Sequence, residues 1–238
     1  MNIILTGFMG TGKTAVGKRL AKRLDWRFVD VDQLIEATAK LSIPRIFTER
    51  GEAVFRRLER RIIGRVVHGH EQVVATGGGS VLDPQNRSRL RACGPLICLT
   101  AKPQAIAERL GSKLSSRPLL HGRADPLARI RSLLRQRARA YAQADLTIDT
   151  THLSVEEVTE QIWQHLGPSL CRSWRYLLDH LAKLAPRYGG KYVVVADNRI
   201  IACGDTQLQA YQRARRLAHS PDTGIYYVPL PEESLTAL

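Results

Sequence analysis

Residues 7–14 read GFMGTGKT, an instance of the pattern G-x-x-x-x-G-K-[ST]. A loop of this type works only where a strand delivers it and a helix leaves it. The apolar run IILT (3–6) precedes it and an amphipathic stretch, 13–24, follows it. Its glycines let successive N–H groups turn inward around phosphate oxygens, and the helix start adds partial positive charge. From average residue usage, a chance match somewhere in such a chain has odds of about 1 in 100. The alternative is a glycine-rich strand–helix turn with an incidental Lys-Thr. On the phosphate-binding reading, Gly10, Thr11, Gly12, Lys13, Thr14 and Ala15 form the cradle. Lys13 reaches the β- and γ-phosphates of ATP, and the Thr14 hydroxyl ligates Mg²⁺. The loop alone does not separate a small-molecule kinase from a motor, a GTPase or a clamp loader.

Short apolar runs recur along the chain: IILT (3–6), RFVDV (27–31), QVVAT (72–76), PLICLT (95–100) and DLTID (145–149). They read as buried strands. Between them lie basic amphipathic segments at 13–24, 33–70 with breaks, 84–92, 103–111 and 125–142. Strands alternating with helices predict a three-layer α/β/α fold around a five-stranded parallel sheet. A helix over about 154–166 is expected to stop at Gly167-Pro168.

Beyond that point the pattern changes, so the chain reads as two domains, 1–167 and 168–238. Residues 170–185 look helical and PRYGG (186–190) looks like a turn. KYVVVAD and RIIACG flank Asp197-Asn198, which predicts a β-hairpin. A helix from TQLQAYQRARRLAHS and a strand from GIYYVPL complete a small ββαβ unit before a loose tail.

Net charge is +14, from 36 basic and 22 acidic residues. The stretch from Pro168 holds nine basic and six acidic residues, so most of the excess lies in residues 1–167. The arginines are scattered and the few aromatics form no stacking platform. This composition therefore reads as a basic surface aimed at anionic small molecules, with no nucleic acid partner. Cys93, Cys98, Cys171 and Cys203 form no C-x-x-C pair and no zinc pattern, as expected of free thiols in a reducing cytosol. The start MNIILTGFMG lacks a basic n-region, and no run approaches the ~20 apolar residues of a membrane helix. The expectation is a soluble, cytoplasmic monomer.

The other half of a reaction centre is suggested by residues at the carboxyl ends of the strands, where such sheets bind ligands. FVDVD (28–32) places Asp30 and Asp32 at one such end, and their i, i+2 spacing can set both on one side of the strand. VATGGGS (74–80) ends the next strand, and Gly77, Gly78 and Gly79 allow close backbone approach. GEAVFRRLE (51–59) sets Arg56 and Glu59 one helical turn apart. SSRPLL (115–120) is a Ser-rich basic loop suited to a lid, and RQRARAYAQAD (135–145) carries Arg137 and Arg139 on a late helix. Each has a plainer explanation. Asp32 could cap the following helix, triple glycine could be a turn, and single arginines are usually solvated.

Taken together, GFMGTGKTAVGKRLA, DVDQLIE, SIPRIF with GEAVFRRLE, ATGGGSV, RPLL and a late arginine upstream of Y…AD resemble the shikimate kinase family over about residues 1–167. That resemblance implies transfer of the γ-phosphoryl of ATP to the 3-hydroxyl of shikimate, in aromatic amino-acid biosynthesis, with one Mg²⁺ per subunit. It implies that Asp32 meets the shikimate hydroxyls, and that Arg56 and Arg137 bind its carboxylate with help from the glycine loop at Gly78. Arg117 becomes a lid residue that meets the ATP phosphates, Asp30 holds Mg²⁺ through water beside Thr14, and Glu59 orients neighbouring arginines. Lys13, Asp32 and Arg117 then carry the catalysis.

Three departures accompany the resemblance. Leu110 stands where family members commonly carry an arginine packed on adenine, with Arg109 beside it. RARAY (137–141) replaces R-x-P-L-Y, which leaves Arg139 as an extra or substitute contact. About seventy residues follow the family's usual end, and they resemble a small bacterial and archaeal module of unknown function. Alternatives are a related kinase of gluconate or quinate, or a ligand-sensing regulatory protein on the same fold.

Overall fold

The computed structural model describes residues 2–111, 125–170, 172–215, 217 and 223–230. Its described residues divide between two compact units, Met1–Glu160 and Gln161–Leu238.

The first unit is built on five parallel strands: β1 (Ile3–Gly7), β2 (Arg27–Asp30), β3 (Gln72–Ala75), β4 (Leu96–Thr100) and β5 (Leu146–Asp149), in the order β2-β3-β1-β4-β5. β1 is central and buried throughout, as its unbroken apolar run requires. Ile3 faces Val73 on one side of it, and Thr6 faces Cys98 on the other. Around this strand run α1 (Lys13–Leu24), α2 (Val31–Ala39), α3 (Ile43–Val66), a 3₁₀ turn at Ser80–Leu82, α4 (Pro84–Cys93), α5 (Pro103–Leu110) and α6 (Pro126–Tyr141), and the unit ends within the first turns of α7 (Val155–Leu170). Ile4, Leu96 and Cys98 pack against α2 to α6 on one face of the sheet. Each fully buried aliphatic side chain contributes about 1.5–3 kcal/mol. Leu5 and Phe28 turn to the other face, where α1 comes close through Gly17. Arg19–Glu156 and Arg23–Glu160 ion pairs join α1 to α7.

The connection from β1 goes to β2, two places away, while β3 and β4 take the positions on either side of β1. A crevice forms at the carboxyl end of the central strand at such a switch point. The phosphate loop leaves β1 at that end. α3 is broken at Gly51, whose φ of 79° and ψ of 163° interrupt the helix and re-aim the half that carries Arg56 and Glu59.

The second unit contains α8 (Arg172–Tyr188) and a three-stranded antiparallel sheet, β6 (Lys191–Ala196), β7 (Arg199–Gly204) and β8 (Gly224–Val228), in the order β7-β6-β8, with α9 (Gln207–Ala214). Alternation along β6 divides the packing. Val193 and Val195 meet Leu177 of α8, and Val194 meets Ala210 and Ala214 of α9. Asp197 and Asn198 both take positive φ at the hairpin turn, the conformation a two-residue turn demands.

Two expected boundaries differ. α7 continues through Gly167-Pro168 to Leu170, and α8 continues through Pro186 to Tyr188. Each proline lies in the last turn, where its fixed φ suits a helix and only one N–H bond is lost. In α8, Ala185 and Tyr188 also pack on the unit's core. Cys93, Cys98 and Cys203 are free thiols. Among the described residues, no helix is long and apolar enough to cross a membrane.

At the amino end of β1, far from the crevice, Asn2 is buried. Its Nδ2 donates to the Gly69 carbonyl at 2.8 Å, and its Oδ1 accepts from the Gln72 N–H at 3.2 Å. Asn2→Leu leaves that carbonyl and N–H unpaired, a cost of about 2 kcal/mol. Urea or thermal melting should show the loss, roughly 4–8 °C in Tm for a chain of this size, with catalytic constants unchanged.

Candidate active site

The phosphate loop connects β1 to α1 with Gly7, Gly10 and Gly12 at positive φ. Lys13 folds over it, donating to the Gly7 carbonyl at 2.9 Å and the Phe8 carbonyl at 2.8 Å. The buried Thr11 hydroxyl donates to the Phe8 carbonyl at 2.8 Å and stiffens the turn. Thr14 and Ala15 occupy the first turn of α1, both exposed.

β2 ends at Asp30, so the two aspartates do not share the strand: Asp32 lies in the first turn of α2. Asp30, rather than Asp32, is the cap. Its Oδ1 accepts from the Asp32 N–H at 3.1 Å and the Gln33 N–H at 3.3 Å. Its Oδ2 accepts from the Thr14 hydroxyl at 3.1 Å. Strand geometry gives way here because a carboxylate at the helix start satisfies two otherwise unpaired donors.

Asp32, Arg56, Glu59, Gly77, Gly78, Gly79 and Arg137 line one cleft beside the loop, with about 570 Å³ of empty space including its open mouth. Met9, Ile43, Phe47 and Phe55 supply its apolar wall, and the two phenyl rings lie 4.8 Å apart. The glycine triplet is explained by the side chains it touches. A Cβ on Gly77 would stand 2.7 Å from Asp32 Oδ1, one on Gly78 3.2 Å from Arg137 Nη1, and one on Gly79 3.0 Å from both terminal nitrogens of Arg56. Each glycine makes room for one polar group of the cleft.

The two arginines are held differently. Arg56 donates from Nη1 to Glu59 at 2.8 Å and from Nη2 to Glu52 at 3.0 Å. Glu59 is 1% exposed and also accepts from Ser80 Oγ at 2.7 Å. Burial alone would pull the Arg56 pKa down, but Glu59 and Glu52 more than offset it and raise the pKa. Arg137 is 4% exposed. It donates from Nη1 to the Gly78 carbonyl at 3.1 Å and lies 5.1 Å from the centre of the Phe8 ring. Among the described residues no carboxylate pairs with it. A buried cation without a counter-ion is unfavourable unless an anion arrives.

Tyr141, one turn along α6, donates its hydroxyl to the same Gly78 carbonyl at 2.6 Å. Burial pushes its pKa up to about 12, against the pull of Arg137, so the hydroxyl keeps its proton. Tyr141, Ser80, Glu52 and the phenyl wall were not singled out as site residues from the sequence. Ser80 adjoins the triplet and Tyr141 ends RARAY, so both stood in quoted motifs. Arg139 is exposed and does not line the cleft, whereas Arg137 does. Arg117, expected from the sequence as a lid residue, lies outside the described residues.

The shikimate kinase family profile matches residues 9–167. The chain belongs to the shikimate kinase family. A shikimate kinase from Caldanaerobacter subterraneus is 46% identical over 161 residues, covering 68% of this chain and 93% of that protein. One from Thermus thermophilus is 41% identical over 167 residues, covering 68% of this chain and 90% of that protein. The solved Acinetobacter baumannii shikimate kinase, in complex with shikimate, superposes with a TM-score of 0.67 at 33% identity, over 71% of this chain and 93% of its own. Residues 183–232 match a separate family of unknown function, DUF5678.

Within this shikimate kinase fold, Leu110 is buried in the core, and its side chain would lie 3.3 Å from a Cβ on Gly10. Arg109 takes the polar position. Its Nη1 donates to Thr150 Oγ1 at 3.0 Å and to the Gly10 carbonyl at 3.5 Å, and its Nη2 donates to the Thr150 and Thr151 carbonyls. It thereby ties the phosphate loop to the turn after β5. Arg109→Gln should weaken ADP binding about tenfold, since bonds from a charged donor are worth roughly 1.5–3 kcal/mol. Titration calorimetry would check this, with acceptor affinity unchanged.

Proposed function

We propose that this kinase transfers the γ-phosphoryl group of ATP to the 3-hydroxyl of shikimate. The observation that carries the reading is the buried guanidinium of Arg137, which has no carboxylate partner among the described residues and faces the same cleft as Asp32. Such a cation calls for an anionic substrate group, and the planar fork of arginine suits a carboxylate. Arg56 completes the clamp, pre-aimed by Glu59 and Glu52. The wall of Ile43, Phe47 and Phe55 suits the hydrocarbon face of a six-membered ring. An open-chain polyol would lose hydration of its hydroxyls there without compensation.

Asp32 orients the acceptor hydroxyl and accepts its proton as the oxygen–phosphorus bond forms and the β–γ bridging bond breaks, releasing ADP. Phosphoryl transfer depends on in-line placement and neutralised charge. Lys13 supplies charge at the β- and γ-phosphates, and Arg117 of the lid adds more. Mg²⁺, one ion per subunit, fits the oxygens present. The Thr14 hydroxyl and Asp30 carboxylate lie 3.1 Å apart beside the loop, a hard donor pair that leaves phosphate oxygens and waters to complete the shell. When bound, the ion neutralises charge on the β- and γ-phosphates. The same reading sets the reaction in aromatic amino-acid biosynthesis in the cytoplasm, in a chain acting as a monomer.

A coupled assay of ADP release should show turnover dependent on shikimate, and weak or no turnover with gluconate or quinate. Absence of turnover with shikimate and Mg·ATP ends the proposal. Arg137→Ala should raise KM for shikimate roughly 10- to 100-fold, as expected for a lost charged hydrogen-bond pair, with KM for ATP nearly unchanged. Equal loss of both would reassign the residue. A chain shortened to end at Gly167 should retain the catalytic constants, because the residues of the cleft all precede that point.

A further inference from the structure

The carbonyl of Gly78 receives two donors, Arg137 Nη1 at 3.1 Å and the Tyr141 hydroxyl at 2.6 Å. One donor would satisfy it. Both donors belong to α6 and are buried, Arg137 at 4% and Tyr141 at 6% exposure. The doubling matters because the two donors differ in what else they face. Arg137 lines the cleft, while Tyr141 is absent from its lining and sits in the core cluster with Ile130 and Leu133.

We infer that Tyr141 is a positioning residue that holds the Gly78 peptide in place while Arg137 transfers its hydrogen bonds to the substrate carboxylate. The inference rests on the functional reading above. If Arg137 alone held the carbonyl, turning toward a carboxylate would strand a buried acceptor, at a cost of order 1–3 kcal/mol. With Tyr141 present, the carbonyl stays satisfied and the guanidinium is free to change partner. A second effect follows from the planarity of the peptide. Fixing the Gly78 carbonyl also fixes the Gly79 N–H, which points the opposite way across the same plane. Tyr141 therefore sets the attitude of the glycine loop, whose neighbours are Asp32, Arg137 and Arg56. The hydroxyl has few alternatives, since a buried phenol keeps its partner where a solvated one would exchange it for water.

The test is Tyr141→Phe, which removes one oxygen and keeps the ring in the core. Loss of one neutral hydrogen bond that matters only when substrate binds should weaken shikimate binding about 2- to 10-fold. The dissociation constant for ADP should not change. A purely structural hydroxyl would instead lower Tm and leave the shikimate constant where it was, or weaken both ligands alike. The discriminating measurement is a double-mutant cycle with Arg137→Gln, read on the shikimate dissociation constant. The penalty of Tyr141→Phe should be clearly smaller in the Arg137→Gln background, because no guanidinium remains to change partner and only the effect on the loop's attitude is left. An equal penalty in both backgrounds, or no penalty in either, overturns the inference while wild-type shikimate turnover leaves the functional reading standing. Failure of the wild-type chain to bind or turn over shikimate overturns both.

Discussion

A guanidinium taken out of water, with no carboxylate paired to it among the described residues, is the constraint from which the cleft follows. Arg137 is tolerated at 4% exposure because a carbonyl, an aromatic face and a neighbouring phenol share its field. Those partners explain the surroundings in turn. The carbonyl must come from a backbone near enough to touch, so Gly78 carries no side chain. The ring is that of Phe8, inside the phosphate loop itself. One cation thus joins the phosphate loop to the neighbouring cleft.

Arg56 is the contrasting case. It is held by two carboxylates, one of them almost completely buried, and Ser80 holds that carboxylate from the other side. Its charge is largely compensated before any ligand arrives, and its geometry is fixed. The pair therefore divides the work between a rigid arginine that defines a direction and an arginine whose electrostatic needs are incomplete.

Much of this was legible in the sequence because local rules and tertiary placement coincide there. GFMGTGKT announces a strand, a phosphate loop and a helix at once, and the five buried strands read as apolar runs. DVD, GGG and FRRLE all contribute to the cleft, though none of them reveals a cleft alone. What escaped depended on long-range geometry. The reason for three consecutive glycines is contact with Asp32, Arg137 and Arg56, residues far apart along the chain. The phenyl wall depends on the break at Gly51, which a helical reading of the segment does not locate. Proline near Gly167 suggested a stop, yet its position in the final turn let the helix continue. Asp30 and Asp32 were read on one strand, whereas the cap brings the helix forward by two residues.

That cap also limits which residue can stand at position 30. Asp30 spends one oxygen on the start of α2, the helix that carries Asp32, and the other on the Thr14 hydroxyl. The phosphate loop and the helix that carries Asp32 therefore draw on opposite oxygens of a single carboxylate. Asparagine could preserve the cap but would surrender charge on the phosphate side, and glutamate would keep the charge but lose the short reach that capping needs. Changes at Phe47 or Phe55, by contrast, would reshape the cleft's apolar wall without touching this carboxylate.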